Sequence, residues 1–117
     1  MNIVDMTVER LNQIEGLAFV RDAWQNKAPD NYGVVELTGQ SGALWADDVM
    51  ALQCYALTIT IYVHGDDDSW CAKVQEALQA LDLGYSLPTR AYDYDIDAVE
   101  WQWTAWWYGP LEVEAEG

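Results

Sequence analysis

Positive charge is the scarcest feature of this chain. Five Lys and Arg stand against 20 Asp and Glu, which leaves a formal net charge of −15 at pH 7. Such a balance argues against affinity for nucleic-acid phosphates or anionic membrane surfaces, so neither tight nucleic-acid binding nor a membrane partner is expected. Histidine occurs once, at His64, which excludes a three-histidine zinc site and leaves at most a lone catalytic base. Cysteine occurs twice, at Cys54 and Cys71, without CxxC spacing; both are expected to be reduced thiols in or near the core rather than a disulfide framework. No run of about 18 apolar residues is present, and the first residues lack the basic and apolar regions of a signal peptide, so a cytosolic compartment is expected. Glycine-rich phosphate loops, GxSxG and HExxH are missing too, and with them the local signatures of enzymatic chemistry. The chain is therefore not expected to be an enzyme, and no cofactor is implied.

What the chain does have is apolar and aromatic mass. Of its 117 residues 51% are hydrophobic and 13% aromatic, too many for a disordered acidic polymer and enough for one core. A single domain over 1–117 is expected, ordered over about 3–110, with residues 111–117 a frayed acidic tail. Four of the seven tryptophans fall within residues 101–107. Alternation puts Val99, Trp101, Trp103, Ala105 and Trp107 on one strand face and Glu100, Gln102, Thr104, Trp106 and Tyr108 on the other. The first face belongs in a core. The second begins polar and turns aromatic, as a strand does when its far end is covered by another element or a partner.

Periodicity organises the remainder. Val4, Val8, Leu11 and Ile14 predict an amphipathic helix over 3–15 with Gly16 as its stop. Strands are predicted over 17–24 and 32–37, the second followed by a hairpin-like connection at 38–42; Trp45 and the pair Asp47 and Asp48 fall on that connection or open the next strand. The clearest strand is 52–63, where Tyr55, Leu57, Ile59, Ile61 and Val63 oppose Cys54, Ala56, Thr58, Thr60 and Tyr62. Asp66, Asp67, Asp68 and Ser69 then open a second helix, capped at Asp68 or Ser69, whose buried stripe is Trp70, Val74, Ala77, Leu78 and Leu81 and which ends near 82–84. Residues 85–108 read as two strands, the first an edge strand because Pro88 cannot donate to a ladder. On this strand Asp93, Asp95 and Asp97 would share one face, opposite Tyr92, Tyr94 and Ile96. The order predicts an α+β fold: a mainly antiparallel sheet of four to five strands with two helices packed on one face.

Three groupings invite chemistry, and each has a plainer explanation. Asp66, Asp67 and Asp68 beside His64 lack the alternating spacing that aims oxygens at one cation, and helix capping accounts for them. The aspartate row at 93, 95 and 97 imitates paired acid and base carboxylates, yet like charges on one face usually mark a solvated edge. Cys71 sits in a helix's first turn beside Trp70, a packing position more than a nucleophile's.

The segments Pro29-Asp30-Asn31-Tyr32-Gly33-Val34-Val35-Glu36-Leu37, Tyr55-Ala56-Leu57-Thr58-Ile59-Thr60-Ile61-Tyr62-Val63-His64-Gly65 and Val74-Gln75-Glu76-Ala77-Leu78, together with the order of elements, resemble the tail terminator (tail completion) proteins of long-tailed bacteriophages. The likeness spans roughly residues 3–108, and the chain departs from it in its tryptophan-rich end and its acidity. The resemblance implies small α+β subunits closing into a ring, usually a hexamer, that caps the tail tube and joins it to the head completion or connector protein. It also implies assembly in the host bacterial cytoplasm and a final place in the virion tail. An acidic lining would keep passing DNA from sticking, which nominates Asp66, Asp67, Asp68, Asp93, Asp95 and Asp97 as lumen residues. Trp24, Trp45, Trp106 and Tyr108 are the residue types expected at the centres of head-to-tail interfaces. The alternative is an acidic inhibitor whose carboxylates imitate DNA phosphates in the basic groove of a host nuclease or CRISPR effector. A mimic needs carboxylates spaced along one continuous face; a ring subunit needs them gathered at one edge.

Overall fold

The computed structural model describes residues 2–24, 27–46, 49–65 and 67–109, with residues 40–46, 49–53 and 109 described by their backbone only. Helix α1 (Ile3–Leu11) starts where the Asn2 side chain accepts the Asp5 N–H at 2.9 Å, and it turns Ile3, Val4, Thr7 and Leu11 inward. Thr7 is buried because its hydroxyl donates to the Ile3 carbonyl at 2.7 Å, which leaves no orphaned polar group. The helix stops four residues short of the predicted end. Asn12 is the reason: its amide accepts the Phe19 N–H at 2.7 Å and donates to the Phe19 carbonyl at 3.1 Å, so its side chain serves the sheet rather than extending the helix. Gly16 completes the turn at φ +87°, with the Trp70 ring 3.1 Å from where a Cβ would stand.

The sheet has six strands rather than four to five: β1 (Ala18–Arg21), β2 (Tyr32–Ala46), β3 (Val49–Val63), β4 (Gly84–Tyr85), β5 (Thr89–Asp93) and β6 (Ala98–Gly109). Their order is β1-β2-β3-β6-β4, with β5 also paired to β6. The sheet is mixed, because β1 runs parallel to β2 in the register Ala18↔Tyr32 to Arg21↔Val35, while all the other pairs are antiparallel. Residues 38–42, predicted as a hairpin connection, lie inside β2. Register shifts between Leu37 and Gly39, Gly42 and Leu44, and Leu44 and Trp45 show what the glycines there do: they accommodate bulges, which use the same residue types as turns. Asp47 and Asp48, which follow β2 in the sequence, lie outside the described residues, as do 111–117.

Helix α2 (Ser69–Ala80) follows β3. Asp68 is its N-cap residue, yet the capping oxygen comes from Asp67, whose carboxylate accepts the Ser69 N–H at 2.9 Å. At the other end Asp82, at φ 59°, takes the left-handed position, and the Leu83 N–H returns to the Leu78 carbonyl at 3.0 Å. Leu83 is thereby folded back into the core.

Both helices cover one face of the sheet. Leu11, Tyr55, Leu57, Ile59, Ile61, Val63, Val74, Leu78, Trp103 and Ala105 form the centre of that core, and the alternations predicted for β3 and β6 are the ones observed. Trp103 is fully buried, and its indole N–H donates to Gln75 Oε1 of α2 at 3.2 Å. Trp101 and Trp107 lean on the same core from its margins. A 15-residue strand at about 3.3 Å per residue is about 50 Å long, which accounts for the longest molecular extent of 52 Å. Beyond Val35 the outer edge of β2 has no strand beside it among the described residues, and β3 runs past the last β6 pairing at Gln53. Among the described residues the far end of the hairpin is therefore two-stranded, an arrangement of marginal stability when isolated.

Candidate interaction surfaces

Two acidic segments meet at one end of the sheet. Antiparallel register sets Val63 opposite Val99, so the exit from β3 and the turn between β5 and β6 emerge side by side. His64 joins them: its Nδ1 lies 3.0 Å from the Asp97 carbonyl, and its backbone N–H donates to Asn31 Oδ1 at 3.1 Å. Asp67 and Asp68 are exposed on the first segment, while Asp66 lies outside the described residues. Asp67 is held below the usual carboxylate range, first by the Ser69 backbone N–H and then by its hydroxyl.

The second segment differs from its prediction. Asp93, Asp95 and Asp97 do not form a row on a strand face, because β5 ends at Asp93 and residues 94–97 are a turn. Asp93 Oδ1 accepts the Asp95 N–H at 3.0 Å, an aspartate turn, and Asp97 adopts φ 52° and accepts the Tyr92 hydroxyl. The opposing residues form no buried apolar face either: Tyr94 is 87% exposed, and Tyr92 packs edge-on against it at 4.7 Å. Tight-turn chemistry spaces aspartates in the same way as strand alternation does, and it prevails here. What the structure brings together is Asp67, Asp68, Asp95 and Asp97 around one end. Among the described residues no group of three or more His, Cys, Asp or Glu is placed to hold a metal ion.

The face of the sheet opposite the helices is uncovered by any described element, and the register defines its rows. Tyr32, Tyr62, Glu100 and Ala91 run across β2, β3, β6 and β5; Val34, Thr60, Gln102 and Thr89 come next, then Glu36, Thr58 and Thr104. Its middle is tied by hydroxyl contacts, with Gln102 donating to Thr60 at 3.2 Å and Thr58 to Thr38 at 3.2 Å. Both ends are aromatic.

At one end Tyr32 and Tyr62 stack at 4.9 Å, and Trp24 meets Tyr32 edge-on at 6.1 Å while its indole donates to the Gly33 carbonyl at 3.3 Å. Trp24 is thus half-buried within its own chain. At the other end Trp106 is half-buried, with its ring 3.5 Å from where a Cβ on Gly84 would stand, and Tyr108 is 62% exposed. Tyr108 stands opposite Cys54, and that neighbouring thiol holds the phenol above its usual range. Trp45 lies in β2 opposite Met50, and its side chain is outside the description.

Cys71 is half-buried, and burial, with Asp68 adding to it, pushes its thiol up to about 11. It stays protonated at neutral pH and is not an activated nucleophile. The tyrosine pair with its neighbouring carboxylates escaped sequence reading: each residue stood on a recognisable polar face, but only register places Glu100 beside Tyr62.

The sequence matches no protein-family model and no curated protein.

Proposed function

We propose that the chain is a structural subunit of a phage tail terminator, closing into a ring that caps the tail tube and meets the head connector. The observation that carries this reading is the layout of charge. Asp67, Asp68, Asp95 and Asp97 gather where the β3 exit and the β5–β6 turn are joined by His64, as a subunit lining a DNA channel with one end requires. The open face carries Thr58, Thr60, Gln102 and Thr104 at its centre, and its carboxylates Glu36, Glu100 and Asp93 are interrupted by these neutral residues rather than spaced in the continuous row a phosphate mimic would need. Two further features support assembly. Beyond Val35 the outer edge of β2 has no strand beside it among the described residues, and Tyr108 is a large exposed aromatic beside the half-buried Trp106. The α+β fold agrees with the subunit type that the resemblance implies.

In this role the protein performs no bond chemistry. Its work is geometric: repeated head-to-tail contacts close the ring, and inward carboxylates repel passing phosphates. Light scattering tests the first part, run on the protein alone and after addition of purified tail tubes. The expected result is a multimer of the chain, alone or co-sedimenting with tubes. A monomer that ignores the tubes, yet binds a basic nuclease in a salt-sensitive complex, would replace this reading with the inhibitor.

A further inference from the structure

The aromatic and acidic end of the open face has a chemistry that ring formation does not use. Tyr32, Tyr62 and Trp24 present packed ring faces and edges, and Glu100 shares a row with the two tyrosines while Glu36 and Asp93 stand on the same side of the sheet. All six are half-buried, so their charges and rings are held in place rather than dispersed in solvent. The carboxylates lie close enough to act on the phenols: Tyr32 is raised first by burial and then by Asp93 and Glu100, and Tyr62 by burial and then by Glu100.

No described lysine or arginine stands on this face. Arg10 and Lys73 are on the helices, Lys27 is in the loop before β2, Arg21 ends β1 beside Asp5 and Asp22, and Arg90 pairs in register with Trp101 on the other side. We propose that this end of the sheet docks an arginine-bearing segment of a basic partner protein, its guanidinium stacked on the outer face of Tyr62 in the Tyr32–Tyr62 pair and bonded to Glu100 and Asp93. Arginine fits better than lysine, because a planar guanidinium stacks on a ring and bonds a carboxylate in two places at once. A second copy is the poorer occupant, since the chain has only three arginines and one of them, Arg21, is already held by Asp5 and Asp22.

The test uses the isolated chain and a nona-arginine peptide at about 0.15 M salt, where diffuse surface attraction is largely screened. It does not depend on ring formation, so its failure and that of the ring reading are separable. Wild type is compared with Glu100→Gln/Asp93→Asn, with Tyr62→Leu, which leaves the charge untouched, and with Glu9→Gln/Glu76→Gln, which removes two exposed charges from the helices. The expected result is binding weakened about tenfold by the first double variant, several-fold by Tyr62→Leu, and less than about twofold by the helix variant. Glu100→Gln alone, a nearly isosteric change, serves if Tyr62→Leu fails to fold. Equal weakening by both double variants, or no binding by wild type, would overturn the proposal.

Discussion

Truncating two tryptophans of the same strand separates the core face from the open face. Trp103 is fully buried, so Trp103→Ala removes a whole indole and leaves a cavity that neighbouring strands cannot close; losses of about 3–5 kcal/mol are typical. Gln75 adds little, because it is half-buried and free to turn its amide to water once the indole is gone. Trp106 is half-buried on the opposite face. Half of roughly 200 Å² of indole surface, at about 25 cal/mol per Å², bounds the cost of Trp106→Ala at about 2.5 kcal/mol. Urea denaturation reads the difference: with a slope of about 2 kcal/mol per molar, Trp103→Ala lowers the midpoint by roughly 2 M and Trp106→Ala by at most about 1.25 M. Slopes should stay equal. If Trp106→Ala cost as much as Trp103→Ala, the strand would have slipped by one residue and the assignment of its faces would be wrong.

Tyr108→Ala should leave the stability of the single chain within about 0.5 kcal/mol, since the side chain is largely exposed, while reducing the multimer fraction seen by light scattering; unchanged assembly would remove Tyr108 from the interface. Cys71, raised to about 11, should be alkylated at pH 8 on the order of 100-fold more slowly in the folded chain than in urea, and a similar rate in both would refute its protected, protonated state. The sign follows for stability: the contribution is full below the unfolded thiol value and is lost as pH rises through about 11, so Cys71→Ala should flatten the alkaline limb of a stability profile. Gly33→Ala places a Cβ 2.3 Å from the Phe19 ring, so a loss of about 1–3 kcal/mol is expected in thermal melts, and an unchanged melting temperature would show that the ring moves aside freely.

Long strands with one covered and one open face write themselves plainly into sequence. That is why the alternation of Tyr55, Leu57, Ile59, Ile61 and Val63, and of Val99, Trp103 and Ala105, was legible, and with it the side on which the helices pack. Elements whose identity depends on partners were not. Gly39 and Gly42 look alike in a turn and in a bulge, and only the facing strand decides between them. The parallel pairing of β1 rests on a register set by distant residues and on the Asn12 clamp that holds Phe19. Asp93, Asp95 and Asp97 carry strand-like spacing, but the left-handed Asp97 bends them into a turn. For the candidate surfaces, residue types were readable and neighbourhoods were not: His64 against Asp97, and Tyr62 beside Glu100, are contacts made across register.

Electron microscopy of purified tail tubes mixed with this chain, in negative stain and viewed end-on, tests the central claim most directly. A ring of additional density on one end of each tube, weakened by Tyr108→Ala and kept by the helix variant Glu9→Gln/Glu76→Gln, is the predicted result. Bare tube ends at saturating protein, with the chain remaining monomeric beside them, would contradict it.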